Sequence, residues 1–142
     1  MRPEDIATVE RSVAELRQQG PALHDHLEAS FRAAGVTRDA ARRARWLVSA
    51  VAELAALLAV PSRLEVRARD IAETVPDGDP APTFGVDGRA WMRAARELCP
   101  AWSDRTEAAW HHAWLLLSNV LDNESLSPFA DPPEPAPGTN SS

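Results

Sequence analysis

Between Pro3 and Asn123 the apolar residues recur every three or four positions in six stretches, separated by glycine, proline or short polar runs. That period belongs to helices with one buried face, and no segment shows the alternation that marks a strand. The pattern predicts an all-α fold of six helices. The first runs from about Pro3 to Gln19, with Pro3 in its first turn, Glu4 and Asp5 at its positive end, and Gly20 closing it. Pro21 opens a second helix that ends near Ala34, before Gly35. Thr37 is expected to cap a third helix, with Asp39 in its first turn, and Pro61 to break it. Ser62-Arg63-Leu64-Glu65 has the form of a capping box and opens a fourth helix to about Glu73. The run Pro76-Asp77-Gly78-Asp79-Pro80-Ala81-Pro82 is a loop by its turn chemistry. Asp87 is expected to cap a fifth helix through Leu98, and Ser103 a sixth to about Asn123.

The stripes predict what each helix buries. Ile6, Val9, Val13 and Leu16 share one face of the first helix, and Leu23, Leu27 and Phe31 one face of the second. Trp91, Ala95 and Leu98 point inward from the fifth, and Trp110, Ala113, Trp114, Leu117, Val120 and Leu121 from the sixth. Buried tryptophan brings an indole N–H that seeks an acceptor.

A chain of 142 residues suffices for one domain with its own core. No apolar run reaches the length of a membrane span. The N-terminus, Met1-Arg2-Pro3-Glu4-Asp5, lacks the apolar stretch of a signal peptide, so a cytoplasmic location is expected. Cys99 is the single cysteine and reads as a small buried hydrophobe. The net charge is −6, of which −4 falls in residues 122–142, a segment with no basic residue. A near-neutral body with an acidic tail argues against nucleic acid as a partner. The five prolines and small polar residues of 125–142 predict disorder, which divides the chain into a folded domain, 1–123, and a tail, 124–142.

Local sequence narrows the fold further. Val13-Ala14-Glu15-Leu16-Arg17-Gln18-Gln19-Gly20 resembles the end of the first helix in bacterial single-domain haemoglobins and in the globin domain of flavohaemoglobins. The stretch from Gly88-Arg89-Ala90-Trp91-Met92 to Glu97-Leu98-Cys99 resembles the penultimate globin helix. Ala109-Trp110-His111-His112-Ala113-Trp114 is similar to the opening of the last one. The resemblance covers about residues 5–123 and implies a globin-like fold with a shortened connection between the second and third helices. It also implies that the family's chemistry is missing. The register puts the iron-binding histidine at Thr74, or at Val75 after a one-residue slip, and neither side chain offers an imidazole. The distal glutamine position falls near Arg42 and the tyrosine of the second helix near Glu28. The segment that supplies the family's haem-wedging phenylalanine is absent.

The resemblance therefore implies no cofactor and a non-enzymatic protein that works by binding, in a sensory or regulatory role. Pocket candidates are Phe31, Arg42, Trp46, Ile71, Thr74, Val75 and Trp91. A homodimer through the last two helices, or a regulatory protein partner there, is the expected assembly. The alternative is a haem protein that binds oxygen or nitric oxide, with dioxygenase-type chemistry, through an unusual ligand such as His24 or His26.

The remaining candidates have plain readings. His24 and His26 stand about 200° apart on a helix and cannot share a metal; His111 and His112 point about 100° apart. No spacing brings together the three or four ligands of a zinc site. Arg38, Arg42, Arg43 and Arg45 beside Trp46 form the one basic cluster, read either as a solvated helix start or as an anion clamp. Ser49 lies on an apolar helix and is expected to turn its hydroxyl to the backbone.

Overall fold

The six periodic stretches form six α-helices in a computed structural model, which describes residues 1–126. They are α1 (Pro3–Gln18), α2 (Gly20–Ala34), α3 (Ala40–Ala55), α4 (Pro61–Ala72), α5 (Arg89–Leu98) and α6 (Asp104–Leu126). The described residues contain no strand, so the protein is all-α as the periodicity predicts. The end of α6 takes the first residues of the expected tail, 124–142; the rest of that segment lies outside the described residues.

Helix α2 packs chiefly against α3 and α5, while α1 lies along α6 and touches α3, and α4 crosses α6. The connection between α2 and α3 is short, residues 35–39. The core forms where the predicted stripes meet. Val9, Val13, Leu16, Leu23, Leu27 and Phe31 are all buried, and Trp91 and Trp110 are completely enclosed. Their ring centroids lie 5.5 Å apart, within the contact range of aromatic pairs, with the planes tilted by 49°. The expected acceptors are missing there: among the described residues, neither Trp91 Nε1 nor Trp110 Nε1 has a hydrogen-bond partner. A buried donor without an acceptor costs about 1–3 kcal/mol, which the apolar area of each indole offsets.

Several helix ends differ from expectation, among them that of α3, which stops at Ala55, before Pro61 can break it. Gly20 is the first residue of α2 rather than the stop of α1, and it keeps a negative φ; α1 and α2 meet at Gln19. Gly35 does close α2, at φ 67°, with its N–H on the Phe31 carbonyl at 3.0 Å. Asp39, not Thr37, is the N-cap of α3: its carboxylate accepts from the Arg42 N–H at 3.1 Å. The Thr37 hydroxyl accepts from the Asp39 N–H at 3.3 Å, one residue ahead of the helix, and donates to Asp79 at 2.6 Å. The capping box at Ser62 does not form, because Pro61 already sits in the first turn of α4 and Val60 is the N-cap, with no side-chain bond. Proline at that place needs no partner for an N–H it lacks. Asp87 caps nothing. It lies inside one π-helical turn, Phe84–Gly88, that feeds α5, and Gly88 is the N-cap. Ser103 caps α6 as expected, accepting from the Thr106 N–H at 3.3 Å.

These assignments are separable by mutation. Asp39→Ala is expected to lower the unfolding free energy by about 1 kcal/mol, as loss of a working N-cap does. Ser62→Ala is expected to change it by less than about 0.5 kcal/mol, as an exposed site without a partner does. Urea denaturation of the two variants reads the difference, and the opposite ranking would restore the cap to Ser62.

Candidate functional site

The buried residues of α3 include Arg43, Leu47, Ala50 and Leu54, one stripe at intervals of four, three and four. Of the basic cluster, only Arg43 falls on that stripe; Arg38, Arg42 and Arg45 are exposed. Arg43 thus fits neither reading of the cluster, since its side chain is 1% exposed in the protein interior. Its guanidinium donates from Nε to Asp87 Oδ1 at 3.0 Å and from Nη2 to Asp87 Oδ2 at 2.9 Å, a bidentate pair. Nη1 donates to the Pro80 carbonyl at 3.0 Å and to Asp79 Oδ2 at 3.4 Å. The cation also lies over the rings of Trp46 (4.9 Å) and Phe31 (6.0 Å), where the negative ring faces favour it.

The acids have their own support. Asp87 Oδ2 accepts from the Thr83 N–H at 3.0 Å, and Asp79 from the Thr37 hydroxyl and the Arg38 N–H. A turn at 76–79, closed by Asp79 N–H on the Pro76 carbonyl at 3.0 Å, aims Asp79 inward. Gly78 takes φ 83° there, a value that an L side chain rarely adopts. The whole segment 76–88 is thereby fastened to the first turns of α3.

Beside this anchor lies an open groove of about 540 Å³. One wall is α3, with Arg42, Arg45, Trp46 and Ser49; the other is the exit from α4, with Glu73, Thr74, Val75, Pro76 and Asp77. Trp46 Nε1 donates across it to the Thr74 hydroxyl at 2.9 Å, and that hydroxyl donates to the Ile71 carbonyl at 2.7 Å. Trp46 therefore has one ring face over Arg43 and its N–H spent on Thr74, which fixes it as a wall of the groove. Arg42 and Arg45 make no side-chain hydrogen bond or ion pair among the described residues. Ser49 is exposed in the same groove, and its hydroxyl makes no backbone bond among the described residues, contrary to expectation.

The seven pocket candidates separate into two groups. Arg42, Trp46, Thr74 and Val75 meet in the groove. Phe31, Ile71 and Trp91 are buried in the core, with Phe31 against the Arg43 cation and Trp91 against Trp110. The groove does not fit a haem: its lining offers no histidine, cysteine or methionine to bind iron, and the chain has no tyrosine. His24 and His26 are half-buried in α2, with His24 Nδ1 2.9 Å from the Gly20 carbonyl. His111 and His112 are both exposed on α6. Among the described residues, no three His, Cys, Asp or Glu side chains are placed to hold a metal ion, and no helix is long and apolar enough to cross a membrane.

A second hollow, about 470 Å³, lies between α1 and the turn joining α5 to α6. Cys99 on its wall is buried, and burial, with the Glu15 carboxylate as a lesser cause, pushes its thiol up to about 11. At neutral pH it is a protonated thiol rather than a nucleophile. The same turn is tied by Glu107, which accepts from Arg96 and from Trp102 Nε1 (2.9 Å). The Arg96 hydrogen bonds, aided by Trp102, hold the Glu107 carboxyl down at about 2. Comparisons with protein-family models, curated proteins and solved structures find no match to this chain.

The depressed Glu107 carboxyl predicts an acid-dependent loss of stability. Its contribution is complete above its ordinary value of 4.5 and disappears as the pH falls through about 2. The stability gap between wild type and Glu107→Gln is therefore expected to be constant at neutral pH and to narrow between pH 4.5 and 2. Denaturant titrations across that window measure it; a gap unchanged down to pH 2 would place the Glu107 carboxyl outside this account.

Proposed function

We propose that the protein is a non-enzymatic binding protein with a globin-like arrangement of helices, working without haem, whose groove between α3 and residues 73–77 takes a small anionic ligand. One observation carries this reading. Arg42 and Arg45, whose side chains have no partner among the described residues, face the groove beside an immobilised indole. A guanidinium presents a planar fork of donors suited to carboxylate or phosphate, and Trp46 supplies a flat apolar wall. The resemblance supports the same place. Thr74 and Val75, where it puts the iron ligand, stand opposite Arg42, where it puts the distal residue. The ligand would occupy the equivalent of a haem pocket with arginine chemistry in place of iron.

The support of the groove wall suggests a sensory or regulatory role. Trp46 lies on Arg43, Arg43 holds Asp87, and Asp87 belongs to the turn that leads into α5. A ligand that shifts Trp46 acts on that chain of contacts, and so on the start of α5. The requirement is that ligand binds one arrangement of the chain better than the other.

Thermal denaturation with a panel of small carboxylates and phosphates tests the reading, together with an absorption spectrum after haemin addition and gel filtration. At a hundredfold excess over Kd, a ligand that binds only the folded state adds about 2.7 kcal/mol. At least one anion is expected to raise the Tm of the wild type. The same anion is expected to leave Arg42→Ala/Arg45→Ala unmoved, while the unliganded Tm of the variant stays near that of the wild type. No retained Soret band is expected. A retained band, or an anion effect that survives the double substitution, would overturn the reading.

A further inference from the structure

The outer face of α5 carries Arg89, Arg93 and Arg96, all exposed, at intervals of four and three. That spacing puts three like charges on one side of the helix, an arrangement that destabilises a helix unless something neutralises it. Arg96 has its answer in Glu107. Arg89 and Arg93 have none: neither makes a hydrogen bond or ion pair among the described residues. The two guanidinium groups also form a ridge between two hollows. On one side, Ala33 and Ala34 of α2 with Val86 and Ala90 line a space of about 280 Å³. On the other, Met92 and His111 line one of about 370 Å³.

We infer that this ridge is a docking surface for an extended acidic peptide segment of a protein partner. The geometry selects that class. Residues four apart on a helix are separated by about 6 Å along its axis, and alternate residues of an extended chain by about 6.8 Å. Two acidic side chains one residue apart on an extended segment therefore reach Arg89 and Arg93 together. An apolar side chain of the same segment can rest on Ala33, Ala34 and Val86 in the hollow that Ser30 also lines, which gives the surface selectivity beyond charge. A membrane surface would need large apolar side chains to insert, and the exposed ones among the described residues, Met1, Val60, Val66 and Leu115, all lie off α5. Duplex nucleic acid is disfavoured by a net charge of −6. The inference stands apart from the groove ligand, because α5 presents these arginines whether or not the groove is filled.

The test is fluorescence anisotropy with a rhodamine-labelled peptide, Glu-Val-Glu-Val-Glu, on the full chain. The same peptide with glutamine in place of glutamate is the neutral control. Saturable binding of the acidic peptide is expected, weakening as NaCl rises from about 50 to about 500 mM. Arg89→Glu/Arg93→Glu is expected to weaken it at least about tenfold and Arg89→Gln/Arg93→Gln at least about fivefold, with circular dichroism confirming that each variant is folded. Arg11→Glu/Arg17→Glu on α1 makes the same change in net charge and is expected to shift affinity less than about twofold. Three results would overturn the inference: no binding by the wild type, equal weakening by the α1 and α5 variants, or tighter binding of duplex DNA or phosphatidylserine vesicles through the same arginines.

Discussion

A guanidinium cannot shed its charge by deprotonating within a protein, so once Arg43 lies on the buried face of α3 its surroundings must answer that charge. Removing an unpaired ion from water carries a penalty of several kcal/mol, more than one ordinary hydrogen bond offsets. The fold supplies a bidentate carboxylate from Asp87, a second carboxylate from Asp79, a carbonyl from Pro80 and two aromatic faces. Every one of the polar partners comes from the irregular segment 76–88. A stretch rich in proline and glycine, with few apolar side chains of its own, is held against α3 by this set of interactions. The π-helical turn at Phe84–Gly88 is part of that arrangement: it carries Asp87 inward and then releases the chain into α5.

The groove is a consequence. Because Trp46 is held from below by Arg43 and from the side by Thr74, the end of α4 is kept at a set distance from α3. Arg42 and Arg45 are one and two positions from the anchor and, by helical geometry, point elsewhere, into the groove and solvent. One helix thus places one arginine where it must be neutralised by the protein and two where they stay available to a ligand. The same anchor joins the groove wall to the first turn of α5, where Arg89 stands exposed. The proposed ligand site and the proposed docking ridge lie at the two ends of one short series of contacts.

Much of the helix content was legible because burial imposes its period locally. Val9, Val13 and Leu16, or Trp110, Ala113 and Leu117, announce a buried face without reference to any distant residue. Helix ends were harder, since they turn on single hydrogen bonds for which neighbouring residues compete. Thr37 and Asp39 both suit a cap; Asp79 takes the first, leaving Asp39 for α3. The Arg43–Asp87 pair was missed because a residue separation of 44 leaves no local pattern. One signal was present: Arg43 lies in register with Leu47, Ala50 and Leu54, whereas the other arginines of its cluster do not. The pocket candidates divided for a related reason. Arg42, Trp46, Thr74 and Val75 face a gap between two elements, while Phe31, Ile71 and Trp91 face the centre of the core, and stripe position alone does not distinguish a pocket wall from a packed interior.

The most direct measurement is a double-mutant cycle on the anchor, with Arg43→Met, Asp87→Asn and the pair together followed by chemical denaturation. Each single change removes one partner of a buried ion pair and is predicted to cost about 3 kcal/mol or more. The double variant is predicted to lose less than the sum of the two, with a coupling of at least about 1 kcal/mol. Small losses that simply add would show that segment 76–88 holds its place without this pair, and would contradict the dependence of the groove and of α5 on it.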